Sequence, residues 1–201
     1  LKAGRVQVNG LVEKDGSRHI DPAKDTLTLD GEPIGRPARQ VWMLNKPAGC
    51  VTATEDPGPT VMDYLPPSLR ASLRPVGRLD KDTEGLLLIT NDGVLSHDLL
   101  APGKHVWKTY FVRVQGILED KDIERLENGM DIGDDRMTLP AKVKRLDAVS
   151  LSLSADDPGY PGDTESCLEL SIREGRFHQV KRMLAGVGHP VLYLKRLSMG
   201  S

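Results

Sequence analysis

The chain has 201 residues, 38% of them hydrophobic and 28% charged. That is the balance of a globular protein with one good core, or one core and a small appended module, and it excludes a disordered chain. The formal net charge of −2 excludes a uniformly basic nucleic-acid binder, and no apolar run approaches the roughly 20 residues that cross a bilayer.

The first 34 residues read as a strand-and-turn unit. "VQVNG" (6–10) and "TLTLDG" (26–31) are short alternating runs, each ended by Asn-Gly or Asp-Gly, which supply the positive φ of tight turns. "GEPIGRP" (31–37) breaks the periodicity and reads as a linker, so a domain boundary is expected at 35–39. "VWMLNKPAGC" (41–50) begins as a buried strand and ends in a Pro-Gly turn that carries Lys46. "LLLI" (86–89) is an interior strand, and "VLSHDLL" (94–100) a short helix after it. In "KTYFVRVQG" (108–116) Tyr110, Val112 and Val114 share one face of a strand; Thr109, Phe111 and Arg113 take the other. "LEDKDIERLENG" (118–129) has helical spacing with Gly129 as its stop.

Further on, "ADDPGYPGDTES" (155–166) is a loop by its Pro, Gly and Asp content, and "LELSIR" (168–173) is again a strand. "HQVKRMLAGVG" (178–188) predicts a helix with Val180, Met183, Leu184 and Val187 on one face and His178, Lys181, Arg182 and Ala185 on the other. The net charge also conceals a division. Residues 119–135 hold eight acids against Lys121 and Arg125, whereas from 173 to 196 six bases face only Glu174. A local basic patch of that kind attracts a polyanion; on charge alone, two ordinary solvated faces explain it equally well.

The two cysteines, Cys50 and Cys167, form no C-x-x-C pattern and read as buried or idle thiols. None of the five histidines has metal-ligand spacing, and no metal is expected. No secretory signal opens the chain, and a cytoplasmic location is expected; the start at Leu1 leaves upstream residues open.

Chemistry concentrates in "GRLDKDTEGLLLITNDG" (77–93), where Arg78 and Asp80 stand just ahead of an apolar strand. A buried charge without a partner costs several kcal/mol, so each needs water, a counter-ion or a ligand. By itself Asp80 reads as a turn or cap carboxylate. Together with "NKPAGCVT" (45–52), "KTYFVRV" (108–114) and "EGRFHQVKRMLAGVGHPVLYLKR" (174–196), the segment resembles the RsuA-type pseudouridine synthases, which isomerise uridine in ribosomal RNA. The blocks stand in family order across 41–200. Residues 1–34 resemble, more softly, the second half of an S4-type RNA-binding module.

The resemblance implies an α+β fold whose catalytic domain (40–201) has a mixed, largely antiparallel sheet, preceded by the partial S4-like module (1–34). It places the catalytic aspartate at Asp80, its basic partner at Lys181, and the aromatic that lies against the target uracil at Tyr110. Read from the residues alone, Lys181 is a solvated helix lysine and Tyr110 a core tyrosine. Lys46, Arg78, Arg176, His178, Gln179, Arg182 and Arg196 become RNA-binding or supporting positions; Arg78 is open to either a phosphate or a backbone carbonyl.

The reaction breaks the C1′–N1 bond, turns the held uracil and forms a C5–C1′ bond, so no redox or group carrier is implied and no cofactor is expected. The carboxylate is left three roles: nucleophile at C1′, nucleophile at the pyrimidine ring, or base for elimination at the sugar. Asp82 beside Asp80 also raises a glycosidase carboxylate pair, which the RNA-type blocks disfavour. "SHDLLAPGKHVWKTY" (96–110) looks most like the small-subunit enzymes, implying uridine 516 of 16S rRNA as target. The alternatives are a 23S rRNA enzyme and a non-catalytic RNA-binding ribosome-assembly protein. The partner expected is ribosomal RNA or an assembling subunit, with no membrane, and the protein itself is expected to be a monomer. Family members continue past the position of Gly200.

Overall fold

A computed structural model describes residues 1–21, 24–35, 38–147 and 160–200. They divide into two compact units, Leu1–Arg39 and Gln40–Ser201. In the first, β1 (Val6–Val8), β2 (Leu11–Val12), β3 (Leu27–Leu29) and β4 (Glu32–Pro33) form an antiparallel sheet ordered β2-β1-β3-β4. Both expected turns are present: Asn9 and Gly10 have φ of 54° and 81°, Asp30 and Gly31 of 53° and 86°. Two successive left-handed residues match the right-handed twist of the flanking strands. Val8 is the one fully buried hydrophobic side chain among the described residues of this unit.

The second unit holds β5 (Val41–Lys46), α1 (Pro67–Arg70), β6 (Arg74–Pro75), β7 (Glu84–Thr90), α2 (Gly93–Leu100), β8 (Lys108–Gln115), α3 (Asp120–Asn128), β9 (Lys142–Leu146), β10 (Glu165–Ile172), α4 (Gln179–Gly186) and β11 (Val191–Met199). Its sheet runs β5-β7-β11-β8-β10-β9, with β6 added beside β7. Among the described strands of this sheet only the β7–β11 pairing is parallel; the others are antiparallel. The mixed, largely antiparallel α+β architecture that the family resemblance implies is therefore the one found.

Alternation along the strands builds the core. Leu87 and Ile89 of β7, Val112 and Val114 of β8, and Leu168 and Leu170 of β10 are completely buried, and they join Leu126 of α3 and Met183 and Leu184 of α4 in one cluster. Each such side chain contributes about 1.5–3 kcal/mol by leaving water. The stripe predicted for residues 178–188 is the one buried: Val180, Met183, Leu184 and Val187 all face inward.

Two expectations need correction. β5 is not a buried strand but an outer one, paired only with β7, and Val41, Trp42 and Met43 are exposed, Met43 by 78%. A run of apolar residues marks a strand without saying whether a second neighbour covers it. The loop expected at 155–166 is shorter than predicted, since Glu165 and Ser166 already pair in β10; residues 155–159 of it, like 36–37 of the expected linker, lie outside the described residues.

Candidate active site

The loop between β6 and β7 carries Asp80, and two side chains fix it from below. The Thr52 hydroxyl donates to the Leu79 carbonyl (2.9 Å) and accepts from the Leu79 N–H (3.1 Å), pinning the residue before the aspartate. Lys46, 0% exposed at the end of β5, donates from Nζ to the carbonyls of Pro47 (3.0 Å), Lys81 (3.2 Å) and Thr83 (2.8 Å). The loop then enters β7 at Gly85. Its φ is +99°, and a Cβ there would collide with the backbone of Arg196, so only glycine lets β7 and β11 meet.

So held, Asp80 keeps its carboxylate 28% exposed on a cleft of about 640 Å³. Lys181 of α4 places Nζ 3.2 Å from Asp80 Oδ2 and 2.6 Å from Asp82 Oδ1. Its hydrogen bond holds the Asp82 carboxyl below the usual carboxylate range. Burial works to lower the Lys181 ammonium, but hydrogen bonds to Asp82 and Asp80 outweigh it and raise the pKa above the ordinary lysine value. His178, just before α4, brings Nε2 to 3.4 Å from Asp80 Oδ1.

Tyr110 lines the same cleft but is only 8% exposed, and Arg196 lies beside it on β11. Burial pushes the Tyr110 phenol up, against the opposing pull of the neighbouring Arg196 guanidinium. Arg196 is itself buried, with Nε donating to the Leu86 carbonyl at 2.7 Å and Nη2 left without a protein partner.

Five of the positions expected to bind RNA are differently employed. Lys46 and Gln179 are buried and cannot face RNA: Lys46 locks the Asp80 loop, and Gln179 donates to Glu174 Oε1 (2.7 Å) and accepts from the Arg176 N–H (3.1 Å). Arg196 sits beneath the cleft rather than on its rim. Arg176 and Arg182 are committed to the protein. Arg176 donates to the carbonyls of Arg136 (2.5 Å) and Met137 (2.7 Å) and pairs with Glu174 (3.0 Å); Arg182 donates to the Ile132 carbonyl and pairs with Asp134 (2.5 Å). The acidic segment 119–135 and the basic segment 173–196 thus partly neutralise one another.

Their pairing clamps the 132–137 loop so that Arg136 and Met137 form one wall of the cleft. Arg78 and Arg136 are exposed at that cleft and make no side-chain hydrogen bond or ion pair among the described residues. Arg78 keeps its expected place; Arg136 was missed, because nothing in "GDDRMT" distinguishes its one cation from the acids around it. Thr52 and Asp82 lay within the quoted blocks, but their roles depend on contacts across 27 and 99 residues of chain.

The arrangement is a carboxylate at the mouth of a cleft, between a lysine and a histidine, with a buried phenol and two free arginines around it. It can hold an uncharged ring and its sugar against a carboxylate oxygen while cations meet a polyanion outside. No three histidine, cysteine, aspartate or glutamate side chains converge as a metal site among the described residues.

The comparisons with known proteins agree with this geometry. Residues 40–186 match the family model described as RNA pseudouridylate synthase. An uncharacterized RNA pseudouridine synthase of Bacillus subtilis is 44% identical over 202 residues, covering 100% of this chain and 79% of its own. The ribosomal small subunit pseudouridine synthase A of Yersinia pestis is 37% identical over 203 residues, with the same coverage. A crystal structure of a pseudouridylate synthase superposes with a TM-score of 0.70 at 34% identity, covering 100% of this chain and 80% of that one. The chain therefore belongs to the RNA pseudouridylate synthase family, as an isomerase of the RsuA type that acts on RNA.

Proposed function

We propose that the chain converts uridine 516 of 16S ribosomal RNA to pseudouridine, with Asp80 as the catalytic carboxylate. The observation that carries this reading is the placement of Asp80: partly exposed on the cleft, 3.2 Å from the Lys181 ammonium, on a loop pinned by Thr52 and Lys46. The ammonium at that distance sets a counter-charge beside the carboxylate, the group that each of the three roles uses. Tyr110, lining the same cleft, is read as the aromatic that lies against a base extruded from its stack. The likeness of 96–110 to small-subunit enzymes, and the name of the Yersinia relative, support the 16S target. Leu1–Arg39 is read as an S4-like module that adds RNA affinity, and the protein as a monomer.

Asp80→Asn keeps the side chain's shape and removes its charge. Tritium release from 5-tritiated uridine RNA is expected to fall at least about 100-fold, with an unchanged melting profile; wild-type turnover would sink the assignment of Asp80. Pseudouridine mapping of both ribosomal RNAs from cells lacking the protein tests the target. A lost modification in 23S rather than 16S rRNA would move the substrate to the large subunit.

A further inference from the structure

The least protected aromatic side chain at the cleft belongs to Phe177. Its ring is 69% exposed in a chain with only two phenylalanines and two tryptophans. It lines the same cleft as Asp80 and lies flat on the His178 ring, with centroids 3.8 Å apart and planes 17° apart. His178 in turn touches Asp80 at 3.4 Å. A chain of contacts thus leads from the carboxylate through His178 to the largely exposed Phe177 ring.

The backbone makes that position obligatory. His178 is in the left-handed region (φ 49°), which non-glycine residues seldom occupy. Arg182 Nη1 donates to the Phe177 carbonyl at 3.0 Å, and Gln179 accepts from the N–H of Arg176. The segment 176–179 is therefore tied at both ends, with Phe177 held at the cleft.

A uridine that reaches Asp80 has left its own stack, and the nucleotide beside it loses a neighbour on one side. We infer that Phe177 takes that vacant place: its ring, backed by His178, receives the nucleobase adjacent to the target uridine. The inference rests on the reading of Asp80 as the reacting centre. Arg78 and Arg136, free at the same cleft, neutralise the phosphates on either side of the unstacked step. Tyr110 is too enclosed to do this work and is left to the uridine itself.

The test is a double-mutant cycle between protein and RNA. Single-turnover tritium release is measured against enzyme concentration on an rRNA transcript carrying the mapped uridine, and on the same transcript with an abasic ribose at the 5′ or the 3′ neighbour. Phe177→Leu is expected to raise the enzyme concentration for half-maximal rate roughly 5- to 150-fold on intact RNA, with the saturating rate little changed and Phe177→Tyr close to wild type. On one of the two abasic transcripts wild type loses a similar factor, and Phe177→Leu adds less than about two-fold. Wild-type affinity in Phe177→Leu, losses that multiply independently at both neighbours, or a fall confined to the saturating rate would each overturn the inference. Asp80→Asn separates the two claims: turnover surviving in it, beside a coupled cycle, removes the role of Asp80 alone, whereas an inert Asp80→Asn beside an uncoupled cycle removes that of Phe177 alone.

Discussion

Lys181 serves two carboxylates at once, and its shorter contact is to Asp82 rather than to Asp80. The consequence is a pH window. Asp82 is lowered in the fold, so its contribution to stability is present above the ordinary value of 3.8 and disappears as pH falls through the lower folded value. Lys181 is raised, so its contribution is complete below 10.5 and disappears as pH rises through the higher folded value. Tyr110 is raised above 10.0. A pH–rate profile is therefore expected to show no alkaline limb from Lys181 or Tyr110 below about pH 10, and an alkaline limb near pH 8 that vanishes in Tyr110→Phe would contradict the burial of that phenol.

Lys46 and Arg78 provide a second contrast at this scale. Lys46→Met leaves three carbonyls without their donor and is expected to cost about 2–5 kcal/mol in chemical denaturation. Because Lys46 faces no solvent, the salt dependence of RNA binding is expected to stay as in wild type. Arg78→Ala is expected to leave stability within about 0.5 kcal/mol and to reduce the slope of log affinity against log salt by about 1. Binding titrations across salt concentrations distinguish the two, and a reversed pattern would exchange their roles.

Among the elements, α4 does the most. Its apolar stripe anchors it in the core, its N-terminal end brings the preceding His178 and its own Lys181 to Asp80, and Arg182 reaches to the 132–137 loop. Arg182 is thus an organiser of the cleft wall rather than a phosphate contact. Arg182→Ala removes charge-assisted hydrogen bonds that contribute about 1.5–3 kcal/mol each. Amide exchange in residues 132–137 is expected to quicken about ten-fold or more while α4 stays protected. Unchanged exchange there would show that the loop holds its place without the arginine.

The element scale is also where sequence reading did well and then stopped. Period-two and period-3.6 patterns located β8, β10, α3 and the buried stripe of α4, because those patterns arise from the local geometry of strand and helix. They misplaced β5 in the burial order, since an outer strand and an inner one differ by a neighbour, and the neighbour comes from elsewhere in the chain.

At the scale of the whole molecule the two units are unequal. Gln40–Ser201 contains the whole of the buried cluster, whereas Leu1–Arg39 buries one large hydrophobic side chain fully among its described residues. A segment of about 40 residues without disulfide or metal rarely folds alone. A chain beginning at Gln40 is expected to keep a cooperative thermal transition and turnover on a short RNA, while losing affinity for ribosomal RNA; a fragment of residues 1–39 is expected to show no transition. Full affinity in the shorter chain would remove the RNA-binding role proposed for the first unit.

The sequence by itself determined β1, β3, β5, β7, β8, β10, α2, α3 and α4, the two glycine-ended turns and the four blocks that mark the family, because each is written in neighbouring residues whose spacing is enforced by local backbone geometry. Only the tertiary structure decided which charges are free. Lys46, Arg176, Arg182 and Arg196 looked equivalent to Arg78 along the chain, yet three-dimensional packing spends the first four on carbonyls and carboxylates and leaves Arg78 in water. A charge's role depends on what desolvates and pairs it, and those partners lie tens of residues away, where no local pattern reaches.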